Sequence, residues 1–229
     1  MLRKWEKLPA FMQTPEVRPY YEALAQKRGQ LICKRTFDLI VGLLLLVLLL
    51  LPMAVIAVLI KLDSEGPVFY RQERVTTYGR RFRIHKFRTM VTNADKLGTL
   101  VTTEGDRRVT KIGAKLRDFR LDELPQVLDV LRGDMSFVGT RPEVVKYVEQ
   151  YRPEYYATLL LPAGITSEAS IHYKDEARLL NDAADVDQVY IRQILPAKME
   201  YNLQTIADFS IWHELATMCR TGFAVFRKD

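Results

Sequence analysis

The 229-residue sequence predicts an α+β fold, a mainly helical domain with one small β-hairpin, attached to a membrane segment. Three observations lead there: an unbroken apolar run from Leu39 to Ile60, two strand-like stretches on either side of TTYG, and short segments of helical spacing bounded by proline and glycine. The length suits one domain of ordinary size beside whatever the chain commits to a membrane. The net charge of +6 suits an anionic partner, which can be nucleic acid, a phosphorylated substrate or an acidic bilayer surface. Cys33 and Cys219 have no CxxC partner, and His85, His172 and His213 lack metal-ligand spacing, so a disulfide framework and a zinc site are not expected.

The run LIVGLLLLVLLLLPMAVIAVLI has the length, about 20 residues, that crosses a hydrocarbon core. A long mixed stretch precedes it and no small-residue cleavage site follows, which disfavours a signal peptide. Lys27, Arg28, Lys34 and Arg35 flank it on one side and Lys61, Arg71, Arg74, Arg80 and Arg81 on the other, so no charge imbalance marks an inside end. Pro52 removes a backbone donor within the run. A re-entrant hairpin turning at Pro52 and a single kinked span both satisfy these facts. Residues 1–33 carry Trp5, Leu8, Phe11, Tyr20, Tyr21 and Leu24 among basic residues and three prolines, a composition expected to lie flat as an interfacial lead-in. The expected organisation is therefore lead-in 1–33, membrane segment 34–62 and domain 63–229.

After the turn SEGP, VFYRQERV and RRFRIHKFRTM form the predicted hairpin. Counting in twos, Phe82 and Ile84 share a face that continues into Lys86 and Arg88. Cations in a core-facing row are costly unless they meet an anion, which makes both candidates for holding phosphate; a strand ending near His85 would leave both solvated instead. VTKIGAKLRDFR reads as a helix with Val109, Ile112 and Leu116 on one side. LDELPQVLDVLRGD reads as the next, with Asp122 at the N-cap, Pro125 in the first turn and Gly133 as the stop. Asp122 and Glu123 can serve simply as cap and dipole complement. Placed beside cations, the same pair can hold a magnesium ion against a diphosphate, and an ionised aspartate there can act as a nucleophile. In SFVGTRPE, Gly139 and Pro142 set a turn from which Arg141 offers a fork to phosphate. The tail, with Trp212, Leu215, Met218, Phe223 and Phe226 beside Arg220, Arg227 and Lys228, fits either an interfacial helix or an ordinary packing helix.

KRTFD at Lys34–Asp38, the apolar run with its proline, GPVFYRQER, HKFRTM, RLDELPQVLDVLRGDMSFVGTRPE and LPAGIT, in this order, resemble the monotopic phosphoglycosyl transferases, the bacterial sugar transferases, over roughly residues 34–229. The resemblance implies a catalytic domain on the cytoplasmic face of a bacterial inner membrane, held by a re-entrant helix broken at Pro52 and by interfacial C-terminal helices. It implies transfer of a sugar 1-phosphate from a UDP-sugar to undecaprenyl phosphate, with UMP released and Mg2+ as cofactor, through a covalent Asp-phosphosugar intermediate. That reaction opens the membrane phase of polysaccharide or glycoconjugate assembly. Asp122 matches the nucleophile and Glu123 its acidic partner, both near the metal, while Lys86, Arg88, Arg117, Gln126 and Arg141 match positions given to phosphates, nucleotide and the shape of the site. The partners implied are UDP-sugar, undecaprenyl phosphate and membrane lipid, without nucleic acid, and a homodimer is compatible with them.

The sequence departs from the family pattern in two places. Leu51 precedes Pro52 where the family often has serine, and Thr140 interrupts the GPRP turn. YIRQILPAKMEYNL resembles one branch of the family and is the region expected to shape sugar choice. Three rival readings remain distinguishable: a single-span basic binding protein, an inactive scaffold of the same fold, and an ordinary glycosyl transferase that would release UDP.

Overall fold

The computed structural model describes residues 2–94, 106–173 and 185–226. Arg227 and Lys228 of the tail lie outside them. Among the described residues the chain is mostly helical, with two small two-stranded sheets. After α1 (Arg18–Ala25), the apolar run forms part of α2 (Arg28–Asp63), a single 36-residue helix about 54 Å long at 1.5 Å per residue. The helix is not interrupted at Pro52, which lies inside it. The expected break is therefore at most a local loss of one ladder bond, because proline lacks the N–H that would reach the preceding turn.

A stripe along α2 at three- and four-residue spacing is buried: Leu31, Lys34, Asp38 and Gly42 in the first half, Met53, Ile56 and Ile60 in the second. The first half packs on α4 (Val127–Arg132) and β3 (Met135–Val138). The second half shares a core cluster with Phe87 and Leu116. Both halves thus rest on the same body, and the opposite side stays bare, with Val47, Leu48 and Leu51 at least 70% exposed.

The charges in KRTFD serve this packing. Lys34 Nζ donates to Glu214 at 2.7 Å and to the Val138 carbonyl at 2.8 Å. Arg35 donates to the Val130 and Leu131 carbonyls at 2.6 and 2.9 Å, closing the end of α4. Asp38 accepts from Ser136 Oγ and the Phe137 N–H. At the other end, Asp63 accepts from the Ile112 N–H at the start of α3 (Lys111–Asp118).

The lead-in behaves differently from expectation. Leu8, Met12, Val17, Tyr21 and Leu24 are buried in one cluster with Leu159, Leu160 and Phe209, so these side chains are spent on the protein's own core rather than on a headgroup layer. Phe11, 42% exposed, touches Tyr156 edge to face.

The predicted hairpin forms as β1 (Phe69–Val75) and β2 (Arg81–Phe87), antiparallel, with Phe69 opposite Phe87. Its connection contains Tyr78 at φ 60° and Gly79 at φ 75°. A Cβ on Gly79 would lie 2.8 Å from the Phe11 ring, so the turn requires glycine on two counts. Phe82 and Ile84 face inward, and His85 and Phe87 are buried as well, so both faces of the strand end are covered. Arg88 lies just past the strand.

The acidic segment forms as a 3-10 turn, Leu121–Gln126, that runs into α4. The entry residue is Arg120 at φ 53°, and Asp122 makes no cap bond, which corrects the expected N-cap. The stop is as read: Gly133 closes α4 at φ 82°. β3 pairs in parallel with β4 (Ala163–Thr166). Around them lie α5 (Val145–Val148), the 3-10 segment Pro153–Leu160, α6 (Glu168–His172), α7 (Val186–Val189), the π-helical turn Tyr190–Ile194 and α8 (Leu195–Ala207). The last helix is α9 (Ile211–Phe226). It is inverted: Glu214 and Thr217 are buried while Trp212 and Phe223 are 77% and 78% exposed.

Glu214 shows how much depends on its partner. Burial raises its carboxyl pKa and Lys34 opposes that shift. Lys34→Met should cost about 3–5 kcal/mol by leaving a buried carboxylate unpaired, and Lys34→Met with Glu214→Leu should recover most of it. Thermal unfolding of the detergent-solubilised chain reads both; equal stability of single variant and wild type would remove this pair as an anchor.

Candidate active site

Three parts of the chain meet at Glu123. β2 brings Lys86, the 3-10 turn brings Asp122 and Glu123, and the turn after β3 brings Arg141. Glu123 Oε1 accepts from Lys86 Nζ at 2.8 Å and from Arg141 Nη2, and Oε2 accepts from Arg141 Nη1 at 3.3 Å. Burial works to raise the Glu123 carboxyl, but the charges of Arg141 and Lys86 outweigh it and hold the group well below the usual carboxylate range. Glu123 in turn raises Arg141, and burial lowers Lys86 against the pull of Glu123. Arg141 Nη1 also reaches the Ile165 carbonyl at 3.3 Å, tying the cluster to β4.

Asp122 stands in the opposite condition. It borders a cavity of ≈ 290 Å3 together with Lys86 and Arg117. Burial raises its carboxyl, with Lys86 opposing and Glu123 adding to the rise. Desolvation thus outweighs the pull of Lys86, Arg117 and Arg141 on this carboxyl. Two adjacent carboxylates have been driven apart, one locked as an anion by two cations and the other facing the cavity with a raised pKa, the pattern that separates roles in acid–base and nucleophilic sites.

The cavity has a basic side and an apolar side. Arg74, Lys86 and Arg117 line it, as do Phe69, Phe87 and Met90. Phe69 and Phe87 stack with centroids 5.5 Å apart. Arg117 is fixed by donating Nε to Thr89 Oγ1 at 2.8 Å, and burial lowers its pKa while Asp122 raises it. This face suits an anion attached to a flat or apolar group.

Of the residues singled out from sequence, Lys86, Arg117, Asp122, Glu123 and Arg141 come together here. Arg88 lines the same cavity, and its fork also donates to the Ser64 carbonyl at 2.7 Å and to the Glu65 carbonyl, closing the end of α2. A Cβ on Gly66 would lie 2.7 Å from that fork, so glycine at φ 123° leaves room for it. Gln126 is fully buried in the 3-10 turn, and neither amide atom has a partner among the described residues. Pro52, on α2, is not among the residues that line the cavity.

The sequence reading missed a buried pair on the same strand: Asp129 holds His85, a residue the sequence analysis weighs only for metal-ligand spacing. The signal was present in VLDVL, where an aspartate stands within an apolar helical stripe and must find a donor.

No group of three or more His, Cys, Asp and Glu side chains able to hold a metal occurs among the described residues. Magnesium asks for one or two carboxylates plus phosphate oxygens. Asp122 fits that need with a diphosphate in the cavity, whereas Glu123 has both oxygens committed to Lys86 and Arg141.

Residues 29–228 match the bacterial sugar transferase family. This chain belongs to that family. It is similar to the UDP-N-acetylgalactosamine-undecaprenyl-phosphate N-acetylgalactosaminephosphotransferase of Aeromonas hydrophila, 37% identical over 82% of this chain and 42% of that protein. It resembles the UDP-glucose:undecaprenyl-phosphate glucose-1-phosphate transferase of Escherichia coli K12, 35% identical over 91% of this chain and 43% of the relative. The Caulobacter vibrioides protein of the same name is 36% identical over 86% of this chain and 70% of its own length. The chain spans less than half the length of the first two relatives. The matched region contains every residue of the Glu123 cluster and both halves of α2.

Proposed function

We propose that the chain is a phosphoglycosyl transferase that moves a sugar 1-phosphate from a UDP-sugar to undecaprenyl phosphate at a bacterial inner membrane. The observation that carries this reading is the Asp122 carboxylate, which makes no ion pair among the described residues, lining a basic cavity beside a charge-locked Glu123. Family membership and the printed functions of the relatives support the substrate class.

In the proposed course, the diphosphate lies against Lys86 and Arg117, and a carboxylate oxygen of Asp122 attacks the phosphorus that bears the sugar. The bond from that phosphorus to the bridging oxygen breaks and UMP leaves. An oxygen of the polyprenyl phosphate then attacks the same phosphorus and Asp122 departs as a carboxylate. The bond from sugar to phosphate oxygen is untouched, so anomeric configuration is retained. Magnesium, held by Asp122 and the diphosphate oxygens, would neutralise charge on the phosphates. Lys86 and Arg141 keep Glu123 from competing for that role and fix the helix turn that aims Asp122.

The membrane reading rests on α2. Both of its halves pack on one domain and its other face is bare and apolar, which supports an uninterrupted helix that meets the bilayer along that bare face while both of its ends stay on the domain's side. Trp212 and Phe223 of α9 add a second apolar surface. With the native cysteines replaced, Cys at Arg28 and at Arg71, both exposed, should label only from the cytoplasmic side; labelling of one from outside would establish a span.

Wild-type enzyme given a suitable UDP-sugar should release a stoichiometric burst of UMP before acceptor is added and keep labelled sugar phosphate on Asp122. Asp122→Asn should lose both, with turnover down about 10³-fold or more. Release of UDP, or no UMP until undecaprenyl phosphate is present, would overturn the two-step course.

The raised pKa of Asp122 sets the pH response. The nucleophile must be ionised, so activity falls as pH drops through that pKa, and the acid limb of kcat/KM should lie above the 3.8 of an ordinary aspartate. Glu123→Gln removes a like charge that raises Asp122 and frees two cations that lower it, so the acid limb should move to lower pH in the residual activity. A limb that stays in place would mean another group controls it.

A further inference from the structure

A second polar cluster ties β2 to α4, the helix that continues the 3-10 turn of Glu123, and the proposed reaction gives it no part. Asp129 of α4 is fully buried. Its Oδ2 accepts the His85 backbone N–H at 2.8 Å, and its Oδ1 lies 2.5 Å from His85 Nδ1. With Nδ1 as donor, Nε2 keeps its lone pair toward Arg132 Nη1 at 3.2 Å. Burying a carboxylate inside an apolar stripe is costly, and here its return is a two-point grip on a single residue of β2.

That residue is the immediate neighbour of Lys86. Two consecutive residues of β2 are therefore linked to one helical segment, His85 to Asp129 and Lys86 to Glu123. The links differ in stiffness. Lys86 reaches Glu123 through a flexible four-carbon stem, whereas Asp129 holds backbone as well as ring and so fixes the Cα from which that stem starts. Because Glu123 Oε1 is shared by Lys86 and Arg141, a shift of Lys86 alters the charge around the Glu123 carboxylate and hence around Asp122. Misplacement of about 1 Å at such a site can cost about 10²-fold in rate.

We propose that Asp129, acting through His85, is a positioning residue that sets where Lys86 stands against Glu123 beside the nucleophile. The inference rests on the phosphoglycosyl transfer reading for its kinetic consequence, and on geometry alone for its effect on Lys86.

The test uses the full chain in lipid nanodiscs and two readouts. Asp129→Asn keeps the shape and one acceptor oxygen but loses the second. It should lower kcat for UMP release about 10-fold, and KM for the UDP-sugar should rise as well, because Lys86 also lies against the diphosphate in the ground state. His85→Gln keeps the backbone N–H and should fall less, and the double variant should be no worse than Asp129→Asn, since both act on one tether. Independently of turnover, acylation of Lys86 by an amine-reactive reagent, read by mass spectrometry, should speed up about threefold or more in Asp129→Asn as Lys86 is released from Glu123. Unchanged Lys86 reactivity in a folded variant overturns the proposal, as do wild-type kcat values or losses from the two variants that simply add. If Asp129→Asn does not fold, His85→Gln decides by the same measures. A wild-type chain that releases no UMP while Lys86 still responds to Asp129→Asn refutes the transferase reading and leaves the positioning intact.

Discussion

Lys34, Arg35 and Asp38 stand within little more than one turn of the long helix, and all three point at the chain that follows the acidic pair. Arg35 closes α4, Asp38 pins the start of β3 and Lys34 reaches its end and Glu214 beyond. Charges in the flank of an apolar helix would ordinarily be placed at a membrane boundary and left wet. Here they are committed to carbonyls, amides and one buried carboxylate, so α2 cannot leave the domain without exposing several unpaired groups. The position of α4, and of the 3-10 turn that precedes it, follows from that constraint. Arg88 repeats the device at the other end of the helix, where its fork holds the last carbonyls.

A functional consequence is the division of labour between neighbouring acids. Glu123 is an anion whose charge is already answered, which makes it part of the frame. Asp122, one residue earlier, makes no ion pair among the described residues, and burial raises its carboxyl pKa against the weaker pull of Lys86 and Arg117. Sequence adjacency thus conceals an electrostatic contrast that arises from three-dimensional packing of Lys86 and Arg141.

The legible parts of the molecule were those governed by local chemistry. The hairpin followed from alternation around TTYG, the end of α4 from Gly133, and the gathering of Lys86, Asp122, Glu123 and Arg141 from motif order and family resemblance. Long-range packing was not legible. Nothing local shows that Leu8, Tyr21 and Leu24 would meet Leu160 and Phe209, so an aromatic, basic segment read as interfacial when it is core. Arg88 is a related case: alternation gave its direction toward the cavity, but the carbonyls that hold its fork lie at a helix end more than twenty residues away. The Asp122 cap failed because Arg120 enters the turn with left-handed backbone, a conformation that non-glycine residues seldom announce.

The continuous packing of α2 also fixes a dimension. Its buried stripe touches the domain from Leu31 to Ile60, so the bare apolar side and the cavity beside Asp122 are built on one packed unit. A surface that wets the apolar side would carry the cavity at a standoff set by that packing. Any amphiphile whose headgroup reacts there must bring that headgroup to this height by its own lateral diffusion and vertical excursion, and the rate of encounter would then depend on the thickness and stiffness of the lipid layer.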